Sequence, residues 1–587
     1  MKKSISSIGY IIGSNWPKKP EALLSERGPP LQKLEPSSSC MKSSPFSLVR
    51  GVIILRHTFG TLKLVCCSIL SPADAFPKGE SYFTYVGEEE SIVDHDIHFR
   101  PGIGSDGSET FTPRTVIYDM KGGFGCLRKI NALYEIEESD GSQVQWNKPA
   151  VILQQTSIEK CTYQQSLEQD LQPSSIEPDA VRYWSDYNRV FFHPRSIVQL
   201  NEYEIGSASM PFEKWSVGEE LFKSVDKDHD IVERDLRPFI EEADQMQAIQ
   251  IFSSTDDAWG GFAARYLNQV RDEYGKTAVV FWGLENNPAT FPREKRNATL
   301  SNTARSMSKI VPETTLYIPI TIPSHGLPSY LTLDPSSNWH VSALFSLAVE
   351  SITLPSRLKE RNGSRQTLEQ LEYLINTNGH QNIAKLRMSI NQDELSNGSL
   401  QDTALHKIDT SGQSRDRRLP PQYTSKLERV KEVTLDVEIF DLDMFPAKIE
   451  EQTTASPAKK THVFSQYESH RVKSNTQNIE LNQKLSSERV RSLAAGLPFV
   501  TKTFTPLLFP LLDSFPRITN QTGTPSSLAV RTSLTVDTAV ALHLKSLQRV
   551  ANRIIAVDER ETLSNSLAEL AESYEEGWDS GSDEGDD

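Results

Sequence analysis

Residues Met246 to Leu284, MQAIQIFSSTDDAWGGFAARYLNQVRDEYGKTAVVFWGL, constrain the fold more than any other stretch of the chain. An apolar run (Ile249, Ile251, Phe252) ends in a polar loop with two glycines, Gly260 and Gly261. A helical pattern follows, with Phe262, Tyr266, Leu267 and Val270 on one face at three- and four-residue spacing. A second strand-like run spans Ala278 to Leu284. Strand, glycine loop, helix and strand make a βαβ unit, the element of a parallel sheet. In such units the loop after the first strand often cradles phosphates, because helix N-terminal N–H groups point there. The predicted class is α/β, a mostly parallel sheet flanked by helices.

The same segment resembles tubulin, where the corresponding strand runs into a loop of nearly all glycine, serine and threonine. Tubulin's next helix ends in an "IREEYPD"-like turn; this chain has Val270-Arg271-Asp272-Glu273-Tyr274-Gly275. Three further blocks extend the likeness: Ser81 to Gly102 (SYFTYVGEEESIVDHDIHFRPG), Phe111 to Glu135 (FTPRTVIYDMKGGFGCLRKINALYE) and the terminal YEEGWDSGSDEGDD. With these blocks in order, the chain resembles the Misato family, tubulin-related eukaryotic proteins linked to mitochondrial inheritance and spindle function. The likeness covers Glu80 to the C-terminus with gaps. It implies a tubulin-like fold and a non-enzymatic role in mitochondrial distribution and mitochondrial DNA inheritance. It also implies protein partners among chaperonin, tubulin and mitochondrial outer-membrane proteins, and a place on the outer surface of the mitochondrion and in the cytoplasm. A cofactor of tubulin folding or of microtubule and spindle assembly is the alternative it leaves open, and an active GTPase is a third.

Composition narrows the classes. The formal net charge of −16 argues against direct nucleic-acid binding, which needs basic surface. The five cysteines (Cys40, Cys66, Cys67, Cys126, Cys161) have neither disulfide-framework nor zinc spacing and read as reduced thiols. Asn-x-Ser/Thr sites such as Asn297-Ala298-Thr299 are then chance matches. The best candidate membrane span, Val52 to Leu70, is interrupted by Arg56, His57 and Lys63.

The residues around the expected phosphate site depart from tubulin. Thr255-Asp256-Asp257-Ala258-Trp259 stands where tubulin has small neutral residues, so Asp256 and Asp257 should repel a triphosphate and Trp259 should fill space that glycines leave open. GTPase activity is therefore not expected, and no catalytic, cofactor-binding or metal-binding residues and no cofactor are assigned. Thr115 to Asp119 reads as a strand ending at Lys121-Gly122-Gly123-Phe124-Gly125. In tubulin the like-placed loop touches the γ-phosphate side; the plain alternative is that these glycines only permit a tight turn. Where tubulin places another phosphate loop, His193-Pro194-Arg195-Ser196 has no glycine. Asn297 to Ser301 resembles a tubulin phrase whose Asn sits by the guanine base, or is a polar helix start. His340 to Ala343, running on to Leu354-Pro355, resembles the end of tubulin's core helix and its turn. The next segment, Ser356 to Gly363, lacks the acidic and Asn pattern by which tubulin completes its neighbour's GTPase site.

Two clusters invite and fail a metal reading. Asp226 to Asp230 has Ile231 and Arg237 where a calcium loop needs Gly and Glu. Asp94, Asp96 and His98 would share one strand face with His95 on the other, with no second cluster.

The chain is expected to divide into a leading segment, a tubulin-like body with two insertions, and a tail. Residues 1–79 are atypical, with the features of a transit-type leader, a disordered arm or a wrongly assigned start, and supply no opening strand. Residues 80–395 form the tubulin-like domain. Insertions at 396–425 and 450–480 are polar and read as disordered. Residues 426–449 carry a strand-rich piece (Lys431 to Leu442), and 481–560 complete the body. Ser216 to Glu242 and Ser533 to Val557 read as helical, and Leu497 to Phe515 as buried loop and strand. Residues 561–587 are an acidic tail, holding Tyr574 and Trp578 among carboxylates and separable from the body without loss of stability.

Overall fold

Runs rich in Val, Ile and aromatic residues pair into two sheets, because β-branched and aromatic side chains suit a pleated surface buried on both sides. The computed structural model describes residues 48–55, 92–103, 109–127, 158–169, 171, 176–188, 192–243, 245–323, 326–359, 365–376, 379–391, 440–446, 461–472, 499–511, 514–520 and 527–575. All belong to the unit Phe46–Asp587.

The first half contains, in chain order, β1 (Leu48–Leu55), the hairpin β2 (Phe99–Ile103) and β3 (Glu109–Pro113), β4 (Thr115–Lys121), α1 (Thr162–Glu168), β5 (Ile197–Glu204), α2 (Trp215–Asp228), α3 (Arg237–Glu241), β6 (Gln245–Ser254), α4 (Ala258–Glu273), β7 (Ala278–Leu284), α5 (Arg293–Ile310) and β8 (Leu316–Ile320). The first sheet runs β5-β4-β1-β6-β7-β8, parallel throughout. Helix α6 (Asn338–Thr353), buried along nearly its whole length, leads to α7 (Leu368–Ile375) and the second sheet. Its strands are β9 (Lys385–Asn391), β10 (Leu442–Asp443), β11 (Val463–Arg471), β12 (Phe499–Thr505), β13 (Phe509–Pro510) and β14 (Ser527–Asp537). They order as β10-β9-β14-β11-β12, parallel only between β11 and β12, with β13 on β14. Helices α8 (Ala539–Ile554) and α9 (Val557–Glu572) close the described chain.

The βαβ unit stands as expected in β6, α4 and β7, and α6 and the turn Leu354–Arg357 fall where the tubulin likeness put them. Ser216 to Glu242 is helical but broken: a π-turn, Val232–Leu236, separates α2 from α3. Leu497 to Phe515 holds β12 and β13.

Five expectations are corrected. An opening strand is present: β1 lies between β4 and β6 as the centre of the first sheet, and the apolar run Val52 to Leu55 is the signal for it. Within the stretch read as the insertion 450–480, Val463–Arg471 is the inner strand β11; its Ser, Gln, Glu and His residues suggested solvent, yet they are buried and bonded to one another and to the core. Ser533 to Val557 is not one helix: Val536 lies in β14, which ends at Asp537, and α8 starts at Ala539, where Asp537 accepts the Ala539 N–H. The tail does not begin at residue 561, because Leu563, Leu567 and Ala571 repeat every fourth residue and bury α9. Finally, His95–Ile97 is a 3₁₀ turn, not strand, so Asp94 to His98 shares no strand face.

Among the described residues no helix is long and apolar enough to cross a membrane, and no group of three or more His, Cys, Asp or Glu could hold a metal ion. Residues 396–425, most of Lys431 to Leu442, most of 1–79, and Trp578 with the end of the tail lie outside the described residues.

Candidate functional site

In an all-parallel sheet the carboxyl ends of the strands form one edge, and ligands of such folds bind in the crevice beyond it. Here that edge brings together the loops after β4, β5 and β6 and the end of β7.

The loop after β6 is tied inward. Asp256 is buried; its Oδ1 accepts the Ser254 hydroxyl at 2.8 Å, and its Oδ2 accepts the Asn286 backbone N–H at 2.9 Å and side-chain amide at 3.0 Å. This carboxylate therefore staples the end of β6 to the end of β7 rather than facing a ligand, contrary to the sequence reading. The Asn302 amide and the Ser306 hydroxyl, both on α5, donate to the Asp256 and Thr255 carbonyl oxygens at 3.0 and 2.7 Å. Asp257 is the N-cap of α4, its Oδ1 accepting the Trp259 N–H at 2.9 Å. The helix N-terminus that would receive a phosphate already carries a covalently attached anion. Trp259 is likewise not in the crevice. It is buried in the core against Phe212 and Phe262, with ring centroids at 5.2 and 5.6 Å.

Gly260 and Gly261 lie inside the first turn of α4, not in a loop. A Cβ on Gly261 would stand 2.0 Å from the Trp215 carbonyl oxygen, and one on Gly218 of α2 would stand 1.6 Å from the Ala258 carbonyl oxygen. The glycines let α2 and α4 touch backbone to backbone, and no ligand is needed to explain them.

The turn after β4 resolves the same way. Gly122 and Gly125 have φ of 87° and 58°, the left-handed region. A Cβ on Gly125 would be 2.4 Å from the Ser185 hydroxyl, so the loop is pressed onto the turn Tyr183–Asp186; the Trp184 N–H donates to the Gly123 carbonyl at 3.2 Å and its indole to Asp119 at 2.8 Å.

The loop missed in the sequence is the one after β5. His193 to Ser196 lies before that strand, whereas Gly206, Ser207 and Ser209 come after it. Gly206 has φ of 70° and open space around its Cβ position, and Ile205 donates to the Lys121 carbonyl, so this loop lies beside the turn after β4. A glycine directly beyond the strand run was its available signal. Asn297 lies in the early turns of α5, half-exposed. In the former calcium candidate, Asp226 accepts from the Gln269 amide at 2.6 Å and caps the Ile231 N–H.

One group at the edge is electrostatically unusual. Glu285 is buried, and the Thr255 hydroxyl donates to it at 3.3 Å. Burial, reinforced by Asp256, pushes its carboxyl up to about 8 from an ordinary 4.5. Below pH 4.5 the folded and unfolded chains both hold this proton; between there and about pH 8 only the folded chain does, so stability falls as pH rises and then levels. Glu285→Gln, which keeps the protonated shape without titrating, is expected to flatten that fall and raise stability at pH 8 by about 2 kcal/mol or more. Chemical denaturation at pH 5 and pH 8 checks it; identical pH dependence in both proteins would refute the assignment.

Comparison with known proteins accords with this geometry. Residues 78–169 match the family described as Misato Segment II tubulin-like domain, and residues 173–358 match the one described as Tubulin domain. The protein dml-1 of Neurospora crassa is 45% identical, over 86% of this chain and 95% of its own length. The chain belongs to the Misato/DML1 family of tubulin-like proteins. Another member, DML1 of Coccidioides immitis, is 44% identical over the same shares, and DML1 of Yarrowia lipolytica is 28% identical over 88% of this chain. The likeness to the first two of these relatives runs over 95% of their own length, and the two tubulin-like family matches end at residue 358, before the second sheet begins at Lys385.

Proposed function

We propose that this member of the family is a non-enzymatic, tubulin-related factor for mitochondrial distribution and mitochondrial DNA inheritance. It acts through protein binding, at the outer surface of the mitochondrion and in the cytoplasm. The mitochondrial part rests on the family resemblance. The non-enzymatic part rests on one observation: the Asp257 carboxylate caps α4 where a phosphate would have to sit. Two unit charges about 4 Å apart at an effective dielectric near 20 repel by about 4 kcal/mol, enough to remove most of the affinity a phosphate loop supplies. A nucleotide fold with a self-capped phosphate loop retains its surfaces for recognition while losing its chemistry.

Two measurements test this reading. Labelled GTP titrated into the purified chain should show no saturable binding in the micromolar range, and such binding would overturn the non-enzymatic assignment. In cells, Asp257→Ser removes the charge but keeps a capping oxygen; cells relying on this variant should keep a normally distributed mitochondrial network. Asp256→Ala is unsuitable for the purpose, because it breaks the staple between β6 and β7. Depletion should disturb mitochondria before microtubules. If microtubules fail first, a role in tubulin folding or assembly replaces the mitochondrial one. A pull-down probed for chaperonin, tubulin and mitochondrial outer-membrane proteins would then name the partner.

A further inference from the structure

After α6 the chain turns at Leu354–Arg357 and lies alongside residues 92–94: the Asp94 N–H donates to the Arg357 carbonyl at 2.7 Å, the Lys359 N–H to the Ile92 carbonyl at 2.8 Å, and Val93 bridges Leu358. Arg365 stands at this corner, its backbone held where the next residue, Gln366, donates to the Pro355 carbonyl at 3.1 Å. The Arg365 side chain is 7% exposed. One of its nitrogens, Nη1, reaches Asp94 Oδ2 at a long 3.4 Å. The other two, Nε and Nη2, are buried and have no hydrogen-bond partner.

Those two donors are the parallel pair on one edge of the guanidinium, the edge that matches two oxygens of a carboxylate or phosphate. A buried donor without a partner is costly, more so when charged, so two on one cation form an unusual arrangement for a group serving only to pair with Asp94. Asp94 is a weak partner. Burial outweighs the pull of Arg365 and raises its carboxyl above the ordinary 3.8. Asp94 is also 26% exposed, which places the corner next to solvent.

We infer that Arg365 anchors an oxyanion site at this corner, taking a phosphate or carboxylate group of a small ligand through two parallel N–H bonds. The site is distinct from the carboxyl-edge crevice, and it does not depend on whether that crevice holds nucleotide.

Thermal unfolding of the full chain tests it, with inorganic phosphate, acetate or chloride at matched ionic strength. At about 10 mM, phosphate or acetate should raise the Tm by about 2 °C over chloride. A response to phosphate alone identifies the group as phosphate, and an equal or larger response to acetate identifies it as carboxylate. Arg365→Lys, which keeps the charge and loses the paired edge, should not respond. Asp94→Asn, which removes the competing carboxylate, should respond more strongly than the native chain. The inference is overturned if neither anion exceeds chloride, if Arg365→Lys responds like the native chain, or if Asp94→Asn shows no gain; the last arm decides even where the lysine variant fails to fold.

Discussion

Ending the chain after Arg560 is expected to destabilise it by about 5 kcal/mol or more, enough to lower the Tm by several degrees at least. The segment lost is most of α9 and the residues just beyond it. Leu563, Leu567, Ala571 and Tyr574 are buried, and each large side chain contributes about 1.5–3 kcal/mol on burial. Polar ties go with them. The Tyr574 hydroxyl accepts the Ile383 N–H at 2.6 Å, the Gln381 amide donates to the Ser573 carbonyl at 2.8 Å, and Ser308 of α5 bonds Ser566 at 2.9 Å. Removal also uncovers faces of α5 and α8. Ending the chain after Glu575 instead, which keeps every one of these contacts, should leave the Tm almost unchanged. If the two truncations melt together, α9 does not hold the body closed. The expectation that everything past residue 560 is dispensable gives way, because α9 and Tyr574 are part of the packed body.

Gly218→Ala should also destabilise the chain, by a smaller amount. The added Cβ would overlap the Ala258 carbonyl oxygen at 1.6 Å, and because that neighbour is backbone it cannot rotate aside. Helices α2 and α4 would have to separate, losing packing around Phe222, Phe262 and Tyr266, which meet at ring distances of 5.3–6.5 Å. Overpacking of this kind costs about 1–3 kcal/mol, occasionally more. Since α4 carries the Asp257 cap, its shift should also perturb the loop after β6. Denaturant unfolding measures the loss. A stability equal to the native chain's would mean the helices are not in backbone contact.

The legibility of each element in the sequence depends on the reach of its signals. The βαβ unit was legible because its apolar runs and its helical stripe are long, local and uninterrupted. Strand β11 was not, since a strand that buries Ser, Gln, Glu and His on both its faces looks like a polar linker until its partners on neighbouring strands and helices are known. The division between β14 and α8 was hidden because Val536 happens to fall on the helical stripe of Val540, Leu544 and Leu547. At the candidate site, the departure from a glycine loop was plain in the letters. The direction each residue faces was not: Asp256 turned inward, Asp257 onto its own helix, and Trp259 into the core. Side-chain direction depends on Asn286 and Phe212, which come from two other segments of the chain.

The position of β1 has a consequence for how the protein is made. This strand leaves the ribosome before its partners, yet it becomes the middle of its sheet and needs β4 on one side and β6 on the other. The last described residues are equally indispensable, because Tyr574 closes against Ile383. No amino-terminal portion of the chain is therefore a finished object, and both edges of β1 wait unpaired through much of synthesis. Non-local closure of this kind is slow and exposes sticky strands meanwhile. Interrupted translation should yield fragments that aggregate rather than fold, and the level of functional protein in a cell should track the capacity to shelter nascent chains.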